Sequence, residues 1–133
     1  MNVIRVTCGI ILKEGKVLAA QRSEKMKLPL KWEFPGGKLQ MGKTEEDCLQ
    51  REIKEELNIL ITIHYKLQPV QHDYGDFQIE LIPFVAEYVG GALQLHEHNQ
   101  ADWYTTNELL TLDWAPADIP ILNEFITTPP IQP

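Results

Sequence analysis

The sequence has no run of lysine and arginine residues, and its formal net charge at pH 7 is −7. Proteins that bind the phosphate backbone of duplex nucleic acids concentrate positive charge, so we expect no nucleic-acid partner. No apolar stretch approaches the roughly 20 residues that span a bilayer, and residues 1–16 lack the basic leader and cleavage site of a signal peptide. We therefore expect a cytoplasmic protein with no membrane partner.

Cysteine is scarce: Cys8 and Cys48 are the only two, and their spacing does not fit a metal-binding motif. Both fall in predicted regular elements, which indicates reduced thiols in a core. The sequence also has no internal repeat and no linker, and its 133 residues are enough for one domain with its own core. We predict a single domain over residues 1–133, with residues 127–133 as a frayed tail.

Alternating and β-branched patterns dominate the chain. Strands are predicted for residues 3–12, 17–22, 59–67, 76–89 and 102–104. Helices are predicted for residues 45–57, 105–110 and 116–126, the last with Asp118 as its N-cap. Gly90 and Gly91 are expected to turn the chain after the longest strand. The fold class is therefore α+β.

The central helix has the clearest signals. Thr44 can cap its start, and Asn58 can take the left-handed conformation that ends a helix. Leu49, Ile53 and Leu57 recur every four residues and form one apolar stripe. This stripe predicts the face that packs on the rest of the fold.

Three carboxylates of this helix, Glu52, Glu55 and Glu56, share one arc between about 240° and 340° when Leu49 is set to zero. The arc borders the apolar stripe, whereas acids that only keep a helix soluble would lie opposite it. Carboxylates clustered at a partly buried edge repel one another unless a cation lies between them, and oxygen ligands favour a hard ion such as Mg²⁺. From periodicity alone, two interpretations stay open: a metal site and an acidic solvated helix.

The same stretch resembles the Nudix box, Gly-x5-Glu-x7-Arg-Glu-hydrophobic-x-Glu-Glu-x-Gly-hydrophobic. The matching positions are Gly37, Arg51, Glu52, Ile53, Glu55, Glu56 and Ile59. Lys43 stands where the box has its first Glu, and Asn58 replaces a Gly. The resemblance implies a Nudix fold, a mixed β-sheet sandwiched between the box helix and a C-terminal helix. It also implies that Lys43 faces Arg51 with like charge.

The resemblance further implies a site for Mg²⁺, with Mn²⁺ as the alternative ion. Its ligands would be the carbonyl of Gly36 and the carboxylates of Glu52, Glu56 and Glu97, and the catalytic carboxylates would be Glu52, Glu55 and Glu97. The residues implied to bind the substrate are Arg22, Glu33, Phe34, Pro35, Lys38 and Asp118. For three of the implied metal-binding and substrate-binding residues a purely structural interpretation stays open: a strand-end arginine at Arg22, a surface glutamate at Glu97 and a helix cap at Asp118. The four histidines are expected to play no ligand role.

The segments WEFPGGK and WAPADIPIL resemble the MutT-like branch of the family, and the second is similar to enzymes that hydrolyse CTP and methyl-dCTP. The implied reaction is Mg²⁺-dependent hydrolysis of a (deoxy)nucleoside triphosphate, of the CTP/dCTP type or oxidised such as 8-oxo-dGTP, to the monophosphate and pyrophosphate. An ionised Asp118 would suit 8-oxoguanine, and a protonated one cytosine. The alternative is a catalytically weak nucleotide-binding module, because of Lys43. The expected partner is a small-molecule nucleotide, and the expected state is a monomer or homodimer.

Overall fold

Eight strands form one mixed sheet in the computed structural model, which describes residues 3–127. The strands are β1 (Val3–Lys13), β2 (Lys16–Gln21), β3 (Trp32–Glu33), β4 (Gly36–Lys38), β5 (Ile59–Lys66), β6 (Val70–Asp73), β7 (Gln78–Gly91) and β8 (Gln100–Tyr104). The helices are α1 (Glu45–Leu57), α2 (Thr106–Leu109) and α3 (Ile119–Thr127), with a 3₁₀ helix at Pro116–Asp118. Within these residues no helix is long and apolar enough to cross a membrane.

The centre of the sheet is the parallel pair of β1 and β7, in a register that runs from Val3 opposite Gln78 to Leu12 opposite Glu87. The main path of neighbouring strands is β3-β2-β1-β7-β5. In addition, β4 pairs with β1, β6 with β7, and β8 with β2. The first two predicted strands pair as an antiparallel hairpin, with Leu12 opposite Val17. Parallel and antiparallel pairs occur together, so the sheet is mixed, as the resemblance implied.

Each face of the sheet carries its own apolar cluster. On one face Leu49 and Ile53 of α1 belong to the same cluster as Ile11 of β1. On the other face Ile121 of α3 belongs to the same cluster as Ile10. Successive residues of a strand point to opposite faces, which is why Ile10 and Ile11 lie in different clusters. The sheet therefore lies between α1 and α3, and the predicted α+β sandwich is confirmed.

The bounds and caps of α1 agree with the prediction. Thr44 Oγ1 accepts a hydrogen bond of 3.0 Å from the backbone N–H of Asp47. Asn58 ends the helix at φ 60°, in the left-handed region. Both cysteines are free and buried, as predicted, and Cys48 Sγ donates to the carbonyl of Lys38 at 3.1 Å. This contact ties α1 to the end of β4.

The strand β6, which pairs with β7, and the end of β7 itself differ from the prediction. The short strand β6 was not predicted, because its sequence, VQHD, carries too few apolar residues to show a strand pattern. Gly90 and Gly91 were expected to form a turn but belong to β7. Gly91 has φ 91°, and a Cβ there would overlap the backbone at Asn58, where the chain enters β5. Glycine at this position therefore permits a close approach of two backbones rather than a turn.

The last helix begins later than predicted. Its first turn is the 3₁₀ helix, and α3 starts at Ile119, directly after Asp118, the residue predicted as its N-cap. The carboxylate of Asp118 accepts a hydrogen bond from the backbone N–H of Phe34. Of the predicted frayed tail, Thr127 is the last residue of α3, and residues 128–133 lie outside the described part of the chain.

Candidate active site

A cleft of about 650 Å³ is lined by residues from distant parts of the chain. It brings together the predicted site residues Arg22, Glu33, Phe34, Gly36, Lys38, Glu52, Glu56, Glu97 and Asp118. Pro35 and Glu55 lie outside this lining. The carbonyl of Pro35 accepts a hydrogen bond of 2.8 Å from the backbone N–H of Gly9, so Pro35 holds the segment between β3 and β4 against β1.

One end of the cleft depends on two glycines. We call Gly36, Glu52, Glu56 and Glu97 the carboxylate end. A Cβ on Gly36 would overlap the carbonyl oxygen of Thr7 in β1, and a Cβ on Gly37 would overlap the carboxyl group of Glu52. The absence of side chains on both residues therefore allows β4 to lie directly between β1 and the Glu52 side chain of α1.

At the carboxylate end, the Glu56 side chain has an oxygen with no hydrogen-bond partner among the described residues. Burial raises the pKa of Glu56 to about 7, and the negative charges of Glu52, Glu97 and Glu33 add to the rise, while His98 opposes it. Glu56 Oε2 is buried and has no hydrogen-bond partner among residues 3–127. A buried carboxylate oxygen without a partner is costly, so a cation at this place would stabilise the protein.

The donor set of the carboxylate end suits a hard divalent cation. It offers carboxylate oxygens from Glu52, Glu56 and the exposed Glu97, together with the carbonyl of Gly36. Oxygen ligands of these kinds are those that Mg²⁺ prefers in proteins. In the part of the chain that the structure describes, no three His, Cys, Asp or Glu side chains already form a compact ligand group. The fit therefore rests on the oxygen-only chemistry and on the unpartnered oxygen of Glu56.

Arg51 lies beside these carboxylates but is weakly paired. Its Nη2 is 3.6 Å from Glu52 Oε1, and its Nε is 3.7 Å from Glu55 Oε1. Both nitrogens are buried and find no hydrogen-bond partner in the described residues. Lys43 is exposed in the loop before α1, and its side chain cannot accept a hydrogen bond from Arg51. Glu55, predicted to be catalytic, has a side chain that is 61% exposed and faces Arg51.

The opposite end of the cleft has partners for its charged groups. We call Arg22, Glu33, Phe34, His98 and Asp118 the paired end. Arg22 Nη1 donates to Glu33 Oε1 at 2.6 Å, and Arg22 Nε donates to the carbonyl of Lys27 at 2.5 Å. His98 Nε2 lies 2.8 Å from Glu33 Oε2. Glu33 therefore joins an arginine from the end of β2 to a histidine from the segment before β8.

His98 lines the cleft, although the sequence did not predict it as a site residue. Its side chain is 2% exposed, whereas His96 is an exposed residue. The two histidines flank Glu97 in the segment HEH, and nothing in that pattern distinguishes them. The distinction comes from β8, because the backbone N–H of Asn99 donates to the carbonyl of Gln21 at 2.9 Å as β8 begins to pair with β2. This pairing fixes which of the two rings lies inside the cleft.

Asp118 lies at the bottom of the paired end. Its Oδ2 accepts a hydrogen bond of 2.9 Å from the backbone N–H of Phe34, and the residue is 5% exposed. Burial, helped by the charge of Glu33, raises the pKa of Asp118 well above its usual range. The hydroxyl oxygen of Tyr74 accepts a hydrogen bond of 2.9 Å from the backbone N–H of Ala117 and so braces the turn that carries Asp118. Tyr74 follows β6, so the prediction missed it with that strand.

Two lysines bring positive charge to the cleft. Lys38 is exposed at the end of β4 and lines the cleft. Lys27 was not singled out in the sequence, and its Nζ lies 4.3 Å from the centre of the Phe77 ring. Lys27 and Phe77 both line the cleft, so their contact joins the loop after β2 to the hairpin between β6 and β7.

The chain is similar to known proteins in sequence and in overall fold. The family model described as NUDIX domain matches residues 1–125. The chain is 35% identical over 133 residues to CTP pyrophosphohydrolase of Escherichia coli strain K12. This alignment covers 100% of this chain and 98% of that protein. It is 28% identical over 126 residues to 8-oxo-dGTP diphosphatase of the same strain, covering 94% and 98%. A solved structure of the DNA mismatch repair protein MutT, of the family Nudix hydrolase, from methicillin-resistant Staphylococcus aureus 252 matches with a TM-score of 0.76 and 43% identity, covering 95% and 97%.

Proposed function

Because this chain belongs to the Nudix family, we propose that it hydrolyses a (deoxy)nucleoside triphosphate to the monophosphate and pyrophosphate. The observation that carries the proposal is one continuous cleft with the carboxylate end and the paired end in its lining. A nucleoside triphosphate is a chain of anionic phosphates attached to a nucleoside. The phosphates need positive charge to offset theirs, and the nucleoside needs hydrogen-bond partners. The relative named CTP pyrophosphohydrolase, matched over its whole length, supports this substrate class.

Nudix hydrolases use divalent metal ions, and we assign Mg²⁺, with Mn²⁺ as the alternative, to the carboxylate end. The residues that would hold it are Gly36, Glu52, Glu56 and Glu97. A divalent cation bound there offsets the charge of the phosphates and lowers the pKa of an attacking water. The buried Oε2 of Glu56 supports this assignment, because it has no hydrogen-bond partner among residues 3–127 and a cation beside it would offset the cost of its burial.

The carboxylates also have a part in proton transfer. Glu52 and Glu97 line the cleft and can accept the proton of the attacking water. Glu55, the third predicted catalytic residue, lies outside the lining and faces Arg51. In this proposal Glu55 therefore holds Arg51, and through it the Glu52 carboxylate, in place.

Positive side chains around the cleft would bind the phosphates. Lys38 is exposed at the lining and free to move its ammonium group. Arg22 already uses Nη1 and Nε for Glu33 and the carbonyl of Lys27, which leaves the two N–H groups of Nη2 for a phosphate oxygen. Arg22 thus orients Glu33 and contacts the substrate with the same planar group.

Asp118 and Phe34 would recognise the base, with Glu33 beside them. The raised pKa of Asp118 favours its protonated form, in which one oxygen donates and the other accepts. Cytosine presents an acceptor nitrogen next to an amine donor, and this pair matches a protonated carboxyl group. We therefore rank nucleotides of the CTP/dCTP type above oxidised guanine nucleotides such as 8-oxo-dGTP, which would suit an ionised carboxylate better.

Pyrophosphate release tests the proposal. The purified protein is incubated with Mg²⁺ and, separately, with CTP, dCTP, methyl-dCTP and 8-oxo-dGTP, and the products are identified by chromatography. We expect monophosphate and pyrophosphate, with the fastest turnover for the cytosine nucleotides, and loss of turnover when the metal is chelated. Absence of pyrophosphate from all four substrates would overturn the proposal.

One observation favours a second function, that of a catalytically weak nucleotide-binding module. Arg51 lacks hydrogen-bond partners for Nε and Nη2 within the described residues, and Lys43 occupies the box position of a glutamate. A poorly held Arg51 would leave Glu52 less well oriented for catalysis. The substitution Lys43→Glu separates the two functions, because only a weak parent would gain a large amount of activity from it.

A further inference from the structure

His98 is a buried polar residue with no part in the proposed reaction. Its Nε2 is 2.8 Å from Glu33 Oε2, and its Nδ1 is buried and without a hydrogen-bond partner in residues 3–127. A buried imidazole that forms only one hydrogen bond is costly to maintain. Its contact with Glu33 therefore calls for an explanation beyond the packing of the fold.

The contact completes the anchoring of Glu33. An ionised carboxylate only accepts hydrogen bonds, so His98 donates from Nε2 to Oε2 while Arg22 Nη1 donates to Oε1. With each oxygen engaged by a different residue, the Glu33 side chain is restricted in orientation. Each oxygen still has a free lone pair, so the carboxylate can accept hydrogen bonds from a ligand as well.

Glu33 lies in the lining of the same cleft as Asp118 and the carboxylate end. Its neighbour in the chain, Phe34, donates its backbone N–H to Asp118, and its hydrogen-bond partner, His98, directly follows Glu97. A nucleoside that reaches from Asp118 toward the carboxylate end therefore brings its hydrogen-bond donors, the exocyclic amine and the sugar hydroxyls, past Glu33. Glu33 is therefore placed to accept from one of them.

We propose that His98 is a positioning residue for nucleoside recognition: by donating to Glu33 it holds this carboxylate in the orientation that accepts a hydrogen bond from the nucleoside. The proposal rests on the proposed function and deepens it. A carboxylate that is already fixed in the binding orientation loses little conformational freedom when the ligand arrives. His98 thus acts on affinity through Glu33, and its removal should weaken nucleotide binding more than it slows the phosphate chemistry.

A double-mutant cycle tests whether His98 acts through Glu33. The variants are His98→Leu, Glu33→Ala and the combination, with His98→Gln as the variant that keeps a donor and His96→Leu as the exposed control. The dissociation constant of a CTP analogue with a non-hydrolysable α–β bridge is measured by calorimetry in the presence of Mg²⁺, alongside kcat with CTP. Thermal melting of each variant reports folding.

We expect His98→Leu to weaken binding about tenfold, the loss of one hydrogen bond to a charged group, and to change kcat less than about threefold. His98→Gln should restore binding to within about threefold, and His96→Leu should bind like the parent. In the Glu33→Ala background His98→Leu should have no further effect on binding, because coupled residues are not additive. If His98→Leu does not fold, His98→Asn, whose amide is too short to reach Glu33, replaces it in the cycle.

Additive effects on the dissociation constant would overturn the proposal, as would unchanged binding in the His98 variant or a fall in kcat at unchanged affinity. These outcomes leave the proposed function intact as long as the parent releases pyrophosphate. A parent that neither binds the analogue nor releases pyrophosphate from any tested nucleotide would overturn both.

Discussion

The two ends of the cleft satisfy their charges in opposite ways. At the carboxylate end, Glu56 is partly buried among other acids and one of its oxygens has no partner in the described residues. At the paired end, Glu33 is held by Arg22 and His98, and Asp118 accepts from a backbone N–H. In the proposed function a cation completes the carboxylate end, whereas the hydrogen bonds of the protein itself hold the side chains of the paired end. Substitutions at the carboxylate end should affect catalysis more than stability, and substitutions at the paired end should affect nucleotide binding.

The largest expected effect comes from Glu56→Gln. It removes a ligand of the proposed metal site, and metal assistance is worth several kcal/mol of transition-state stabilisation, so kcat for the parent's best nucleotide should fall about a thousandfold. The melting temperature of the metal-free protein should stay the same or rise, because a buried like charge is removed. The exposed Glu24→Gln serves as control. A variant that loses stability and keeps its activity would break the contrast between the two ends.

The same carboxylate predicts how stability changes with pH. Folded Glu56 has a pKa of about 7, against 4.5 for the unfolded group, so the folded state binds the proton more tightly between these values. The free energy of unfolding of the metal-free parent should therefore fall as pH rises from 4.5 to 7, by at most about 2 kcal/mol after solvent screening. Urea unfolding in the presence of a chelator measures this free energy at each pH. If the free energy of unfolding changes with pH in the same way for the parent and for Glu56→Gln, the pH dependence does not come from Glu56.

A hundredfold effect is expected from Gly37→Ala. The added Cβ would overlap Cγ, Cδ and Oε2 of Glu52, so this side chain must move, while no backbone atom is among its three nearest contacts. Misplacing a catalytic group by about 1 Å can cost about a hundredfold in rate. Turnover and melting temperature are measured together, with Gly90→Ala, where a Cβ would have only Leu60 at 3.9 Å, as control. An equal loss in both variants would show that the effect does not come from Glu52.

The two ends also differ in how well the sequence predicts them. The carboxylate end comes from one continuous segment, and Thr44, Asn58 and the stripe through Leu49 each signal the position of α1 locally. The bounds of this helix were therefore predicted correctly, and with them the shared face of Glu52 and Glu56. The glycines before it were predicted through the family resemblance, and the structure adds the reason, which is their contact with β1 and Glu52.

The paired end could be predicted only in part, because it is assembled from segments far apart in the chain. Asp118 looked like a helix cap from its local sequence, and only the fold brings it to the backbone of Phe34. His98 could not be distinguished from His96, since burial depends on the pairing of β8 with β2. Tyr74 was missed together with β6, a strand too short and polar to have a pattern.

Asp118→Asn sharpens the account of the paired end. An amide has one donor and one acceptor, like a protonated carboxyl group, and it can still accept from Phe34 N–H. The KM for CTP should therefore stay within about threefold of the parent value, whereas Asp118→Ala, which removes both groups, should raise it about tenfold. Steady-state kinetics with CTP and 8-oxo-dGTP measure both variants. Equal losses for the two variants with CTP would mean that Asp118 binds the base in its ionised form.

The smallest expected effect is that of Lys43→Glu, which tests whether the carboxylate end is already competent. The family resemblance implies that an acid at this position pairs with Arg51, whose Nε and Nη2 lack partners in the described residues, but partly exposed ion pairs contribute only about 0–1 kcal/mol. We therefore expect kcat to change less than about threefold, and the melting temperature to rise slightly. Lys16→Glu, at the far end of β2 from Arg22, makes the same change in net charge away from the cleft. A weak parent that gains more than tenfold from Lys43→Glu, but nothing from Lys16→Glu, would identify a binding module whose Arg51 is not held for catalysis.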